Sequence, residues 1–299
     1  MIHIDGIILI NKEKGCTSHD VVNKVKHIFN EKTGHTGTLD PNATGLLPIL
    51  IGQGTKLSYY LINHDKEYFV TLKLGIKTDT ADIEGKIIKE DVIDDKILSK
   101  SNIEHILKSF IGKQEQIPPM YSAIKINGKK LYEYARKNIQ LELAPREIEI
   151  YDVQLKAIRI KEKEIDFSVK CSKGTYIRSL CEDVAQKLGT IGYMKELKRT
   201  MVGQFNIKDS ITISELSLHR EDEKYIKDHI ISIETFFIKY KNANKIILND
   251  KKLKLLLNGV KLNICLKNGD YRIYNEKNEF IGIGSIINNL LKREIIVEK

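Results

Sequence analysis

Cysteine is scarce and scattered in this chain. Its 299 residues include four, Cys16, Cys171, Cys181 and Cys265. None forms a C-x-x-C pair, and none sits beside histidines at zinc-ligand spacing. That pattern predicts reduced, mostly buried thiols rather than a disulfide framework or a zinc finger. The first residues, MIHIDGIILINKEKG, carry no basic stretch ahead of their short apolar run, so the sequence predicts no signal peptide. No run reaches the roughly 18 apolar residues that would suggest a membrane-spanning helix. Three cofactor and metal signatures are missing as well: a G-x-x-x-x-G-K-[ST] phosphate loop, a G-x-G-x-x-G turn after a strand, and H-E-x-x-H. His19, His27 and His35 recur at regular spacing, but two fall on an expected helix and the third on an expected loop, which does not converge them on a metal. The expectation is a cytoplasmic protein with no metal, no redox cofactor and no membrane partner.

What is present is basic and globular. Lys and Arg number 49 against 40 Asp and Glu, a formal charge of +9. Such a surplus suits a polyanionic partner, because Lys and Arg gain affinity by displacing counterions from phosphates. By itself it decides little. The length fits one large domain, or a large and a small one.

Periodicity supplies the elements. GIILI (residues 6–10) reads as a buried strand, and Thr17 or Ser18 as the N-cap of a helix with Val21, Val22, Val25, Ile28 and Phe29 on one face. KEYFVTLKLG alternates, placing Tyr68, Val70, Leu72 and Leu74 together; KEIDFSVKC does the same for Ile165, Phe167, Val169 and Cys171. The helix YIRSLCEDVAQKLG carries an apolar stripe of Ile177, Leu180, Cys181, Val184 and Leu188, ended by Gly189. Arg178 falls off that stripe and points either to solvent or to a site. Residues 215–243 read as helical and then linker-like. After about residue 244 short strands return, with a hairpin turning near Glu276–Asn278 and a last strand in EIIVEK. The segment QIPPMYSAIKINGKKLYEYARK interleaves lysines and Arg136 with Tyr121, Tyr132 and Tyr134. That composition fits an RNA-binding segment and a solvated helix face equally well.

One stretch stands apart. EKTGHTGTLDPNATGLLPILIGQGTK (residues 31–56) is rich in small residues and holds a lone aspartate, Asp40, directly before Pro41. An isolated Asp-Pro reads as a helix cap with proline in the first turn. Here it lies inside a long, specific string, and GHTGTLDPNATGLLP resembles the signature of the TruB-type tRNA pseudouridine-55 synthases. GIILINKEKGCTSHDVV, KEYFVTLKLGIKTDTADIEG, QIPPMYSAIKINGKKLYEYAR, SKGTYIRSL and GYMKELKRT agree in order, over roughly residues 5–205. Two departures stand out: Glu13 follows Lys12 where the family has proline, and Lys137-Asn138 follows LYEYAR where it tends to have glycine.

The resemblance implies an α+β fold: a mixed-sheet catalytic domain over residues 1–240 and a small PUA-like RNA-binding β-barrel over 241–299. It implies an isomerase that needs no cofactor and acts on the T-arm of tRNA, with a monomer as the default state. By family match Asp40 is the nucleophile, Arg178 its ion-pair partner, and Tyr68 the ring that stacks on the target base and assists a proton transfer. Tyr176 and Leu197 hold the uracil, and His35 supports the extruded nucleotide. The rival readings are a non-catalytic RNA-binding protein and a related synthase acting on another RNA.

Overall fold

The computed structural model describes residues 4–297 apart from 123, 127, 136, 138 and 140. Arg136 and Asn138, singled out above, lie outside the described residues. The leading elements are β1 (Gly6–Lys12), α1 (Ser18–Phe29), β2 (Thr33–His35), β3 (Thr44–Ile51) and β4 (Lys66–Leu74). Further along come β5 (Gly112–Gln116), β6 (Arg146–Arg159), β7 (Glu164–Cys171), α2 (Ile177–Lys187) and β8 (Gly192–Val202). They build a ten-stranded sheet whose main path runs from Ile230–Ser232 through β1, β3, β8, β4, β7 and β6 to β5.

The pairings along this path are antiparallel except one, where β8 runs parallel to β3. At that seam Lys198 faces Thr44 and Arg199 faces Gly45. Gly45, at φ +103°, is needed there: a β-carbon would lie 2.3 Å from the Arg199 carbonyl oxygen. The seam sets the loop before β3 beside the strand that carries Leu197.

β1 is apolar at consecutive positions because both of its faces are covered. Ile8 and Ile10 join a core with Val21, Val25, Ile49, Val70, Phe167 and Cys181. Ile7 and Leu9 turn to a second core with Leu46, Leu50, Phe236 and Phe237. The alternation expected for β4 and β7 is observed, with Tyr68, Val70, Leu72, Leu74, Ile165, Phe167, Val169 and Cys171 all buried. Thr17 caps α1 through a reciprocal box with Asp20. His35 lies in β2, a short strand on β3, and not in a loop.

The C-terminal strands form a separate five-stranded sheet, ordered Asn244–Ile247, Gly269–Tyr274, Phe280–Ile287, Leu290–Ile296, Leu262–Asn263, and curled into a half-barrel. Its own core gathers Leu248, Leu256, Ile273, Ile286 and Leu291. Ile283 and Ile295 instead meet Phe236 and Phe237 in the second core, so the small sheet is packed onto the large one. The hairpin turn expected near 276–278 is present, closed by Asn278 N–H to the Asn275 carbonyl (3.0 Å). Among the described residues no helix is long and apolar enough to cross a membrane.

Candidate active site

The loop before β3 is tied down from below. Ser18 Oγ donates to the Leu39 carbonyl (3.0 Å) and accepts the Leu39 N–H (2.8 Å), so one hydroxyl satisfies both backbone groups of a buried residue. Lys12, only 1% exposed, donates from Nζ to the carbonyls of Cys16 (2.6 Å), Glu13 (3.0 Å) and Pro41 (3.0 Å). The turn around Gly15 forms without the family's proline, and Gly15 N–H reaches the Pro41 carbonyl (3.0 Å). The Asp40 carbonyl accepts from Ala43 N–H (3.1 Å), giving a turn with Asp first and Pro second, the favoured order. No helix follows; the chain enters β3. Asp40 is therefore a turn residue and not a helix cap. Ser18→Ala is expected to cost about 1–3 kcal/mol, the penalty of stranding a buried N–H and C=O, read as a lower urea midpoint.

Arg178 comes to Asp40 from the first turn of α2. It is 6% exposed, which settles the choice between solvent and site. Its Nε lies 3.3 Å from Asp40 Oδ2 and its Nη1 3.5 Å from Asp82 Oδ2. The guanidinium also donates to the carbonyls of Tyr121 (2.7 Å) and Thr80 (3.3 Å). Asp82 is aimed in turn by Thr80 Oγ1 (2.6 Å) and Glu84 N–H (3.0 Å). Gln116 holds the head of the helix: its side chain accepts Tyr176 N–H (2.8 Å) and donates to the Tyr176 carbonyl (3.0 Å). One rigid fork thus bridges two carboxylates. Burial lifts the Asp40 carboxyl above its ordinary value; Arg178 draws it back and Asp82 pushes it up again.

Tyr68, near the start of β4, is paired with Val169 on one side and Arg199 on the other. Arg199 is 1% exposed; it donates to the carbonyls of Leu46 (2.8 Å) and Gly37 (2.9 Å), and its positive charge acts on the Tyr68 hydroxyl. Burial raises that hydroxyl above its usual value. β8 shifts register between Met194 and Glu196, so Met194 and Leu197 are both buried although three apart.

A cleft of about 660 Å³ results, lined by Asp40, Tyr68, Tyr176, Arg178 and Leu197 among others. Five of the six residues expected from sequence meet there. His35 stands one step back, where its Nδ1 accepts Gly37 N–H (3.2 Å). Burial, then Arg199, lowers the His35 imidazole below its ordinary value, favouring the neutral ring.

Comparison with known proteins covers most of the chain. A family described as TruB family pseudouridylate synthase (N terminal domain) matches residues 26–177. The tRNA pseudouridylate synthase B C-terminal domain matches 178–237, and the Pseudouridine synthase II TruB C-terminal family matches 245–293. The tRNA pseudouridine synthase B of Clostridium kluyveri is 44% identical over 288 residues, covering 94% of this chain and 95% of its own. This chain belongs to the TruB family of pseudouridylate synthases. The tRNA pseudouridine synthase B of Psychrobacter arcticus is 49% identical over 224 residues, which is 72% of this chain and 57% of that protein. Among solved structures, a Cbf5–Nop10–Gar1 complex contains a chain that superposes with a TM-score of 0.66 at 27% identity, covering 99% of this chain and 85% of that one.

Residue-by-residue reading of the sequence missed Arg199, which lines this TruB-family cleft, and Asp82, Gln116 and Ser18, which hold its residues in place. Asp82 sits in TDTADIEG and reads as one loop acid among several. Arg199 had a signal, being two residues beyond Leu197 on a strand and so on the same face. A buried arginine is rare enough that its charge argues the other way.

Proposed function

We propose that the protein converts uridine to pseudouridine at position 55 in the T-loop of tRNAs. What carries this reading is the Asp40–Arg178–Asp82 cluster in a cleft walled by Tyr68, Tyr176 and Leu197, in a chain of the TruB family. Ionised and aimed by the Arg178 fork, the Asp40 carboxylate attacks the target nucleoside and is later released, dividing one hard step into two. The bond from N1 to C1′ breaks and one from C5 to C1′ forms. C5 loses its proton, N1 gains one, and nothing is oxidised. Tyr68 stacks on the base and assists the transfer at C5, Tyr176 and Leu197 hold the uracil, and His35 supports the flipped nucleotide.

Residues 1–240 would form the catalytic domain and 241–299 the PUA-like RNA-binding domain, in a cytoplasmic monomer. The positive balance of the chain agrees with recognition of a folded RNA loop through its shape and phosphates. The test is tritium release from 5-tritiated uridine in a T-arm transcript. Release demonstrates loss of the C5 hydrogen at that site. Tight binding without release would sink the isomerase reading and favour an RNA-binding protein or another RNA target.

A further inference from the structure

The cleft has a second charged region, away from the Arg178 cluster. Lys66, the first residue of β4, is 8% exposed, Arg199 1% and Thr36 6%, and all three line the cleft that holds Asp40. A β-carbon on Gly37 would lie 3.3 Å from Arg199 Nη1 and 3.9 Å from Lys66 Cε. Both cations therefore close on the loop that carries Thr36.

Their partners are neutral. Lys66 Nζ donates to the His64 carbonyl, and Arg199 to the carbonyls of Leu46 and Gly37. Among the described residues neither pairs with a carboxylate within 4.0 Å. Asp65 faces Lys66, but its Oδ1 takes the Tyr151 hydroxyl (3.2 Å); Lys173 adds a further positive charge on this side. Burial, and next the adjacent Arg199, hold the Lys66 ammonium down to about 8. Thr36 Oγ1 is buried with no hydrogen-bond partner. Two buried cations with no carboxylate within 4.0 Å, beside an unsatisfied hydroxyl, are costly to keep. A phosphate oxygen would relieve all three at once.

We propose that Lys66 and Thr36, backed by the buried charge of Arg199, form an anion subsite that holds one phosphodiester of the RNA backbone next to the nucleotide whose base enters the cleft. Lys66 keeps two N–H groups free for it, and Thr36 supplies its O–H. Arg199 acts through charge and by holding the Gly37 carbonyl. The inference rests on the reading of the cleft as an RNA base site.

The experiment uses T-arm stem-loops in which successive linkages around the target uridine carry an uncharged methylphosphonate. Binding is measured over a range of salt for the unaltered protein, Lys66→Met, Lys66→Arg and Thr36→Val. At one linkage the neutral substitution should weaken binding by the unaltered protein about tenfold, as expected for a hydrogen bond to a charged group. The same substitution should cost Lys66→Met little more. The salt slope of Lys66→Met should fall by about one phosphate contact, and Lys66→Arg should restore it. Thr36→Val should show a smaller loss that vanishes at that linkage. Additive losses at every linkage, or an unchanged salt slope, would overturn the subsite. Should Lys66→Met fail to fold, Thr36→Val decides: losses that add at every linkage overturn it equally. No binding or tritium release by the unaltered protein on the unmodified stem-loop would instead remove the parent reading.

Discussion

Asp40→Asn is expected to abolish tritium release, by at least about ten-thousand-fold, while T-arm affinity stays within a few-fold of the unaltered protein. The amide keeps the size of the carboxylate and a carbonyl oxygen for Arg178 Nε, now 3.3 Å from Asp40 Oδ2, but it cannot form and release the adduct. The turn is kept by the backbone bond from Ala43 N–H, by Ser18 and by Lys12, none of which uses the Asp40 side chain. A comparable loss of binding would count against a purely chemical role.

The same variant carries a stability prediction of definite sign. The folded Asp40 carboxyl lies above its ordinary value of 3.8, chiefly through burial. A carboxyl raised by folding contributes stability that is fully present below its unfolded value and lost as pH rises through the folded value. At neutral pH the ionised group is therefore a net cost, and Asp40→Asn should melt at an equal or higher temperature at pH 7. A clear drop in Tm would contradict the assigned direction. An active site that sacrifices stability for a charged nucleophile is the expected trade.

Arg178→Met should have the next largest effect and should act on two observables. Loss of the fork removes the cation that bridges Asp40 and Asp82. The Arg178–Asp82 contact is buried on both sides, and breaking such a pair on one side costs about 3–5 kcal/mol, to be read from urea unfolding. Turnover should drop by about 10²–10³-fold, as for removal of one preorganised donor. Because Arg178 draws the Asp40 carboxyl down while burial and Asp82 raise it, its loss moves the acidic limb of the kcat/KM profile to higher pH. Part of the lost activity should return as pH is raised. Arg178→Lys, which keeps charge without the planar fork, should leave that limb nearly in place yet recover only part of the rate. A profile of unchanged shape in Arg178→Met would mean that the guanidinium serves structure alone.

Much of the site is legible in the sequence because its chemistry lies in short, contiguous strings. Asp40 is framed by HTGTLDPNATG, and Tyr68 heads a strand whose alternation puts it with Val70, Leu72 and Leu74. Those rows obey local rules, and the observed burial follows them. Arg178 was placed off the apolar stripe of its helix, but helical spacing does not distinguish a solvent-facing position from one covered by another segment. The Thr80–Asp82 loop and Tyr121 cover it, and both are distant in sequence.

Leu197 and Arg199 mark the limit of pattern reading. Strict alternation along β8 sets Met194 and Leu197 on opposite faces; the register shift between Met194 and Glu196 brings both inside. A bulge depends on the partner strand, so period counting does not register it. Lys66 is similar. As the first residue of a strand among charged neighbours it reads as surface, and its burial follows from the Gly37 loop and Arg199 closing over it.

By itself the sequence determined the class of fold, the runs of strand and helix, the family, and the identity of the lone acid before Pro41, since each rests on residues adjacent along the chain. The tertiary structure alone decided that β8 runs parallel to β3, that Arg178 bridges Asp40 and Asp82, and that Lys66, Thr36 and Arg199 share one wall. Those relations join positions separated by about thirty to more than one hundred and fifty residues. Nothing in the local chain encodes them; they follow from which buried faces meet when the sheet closes.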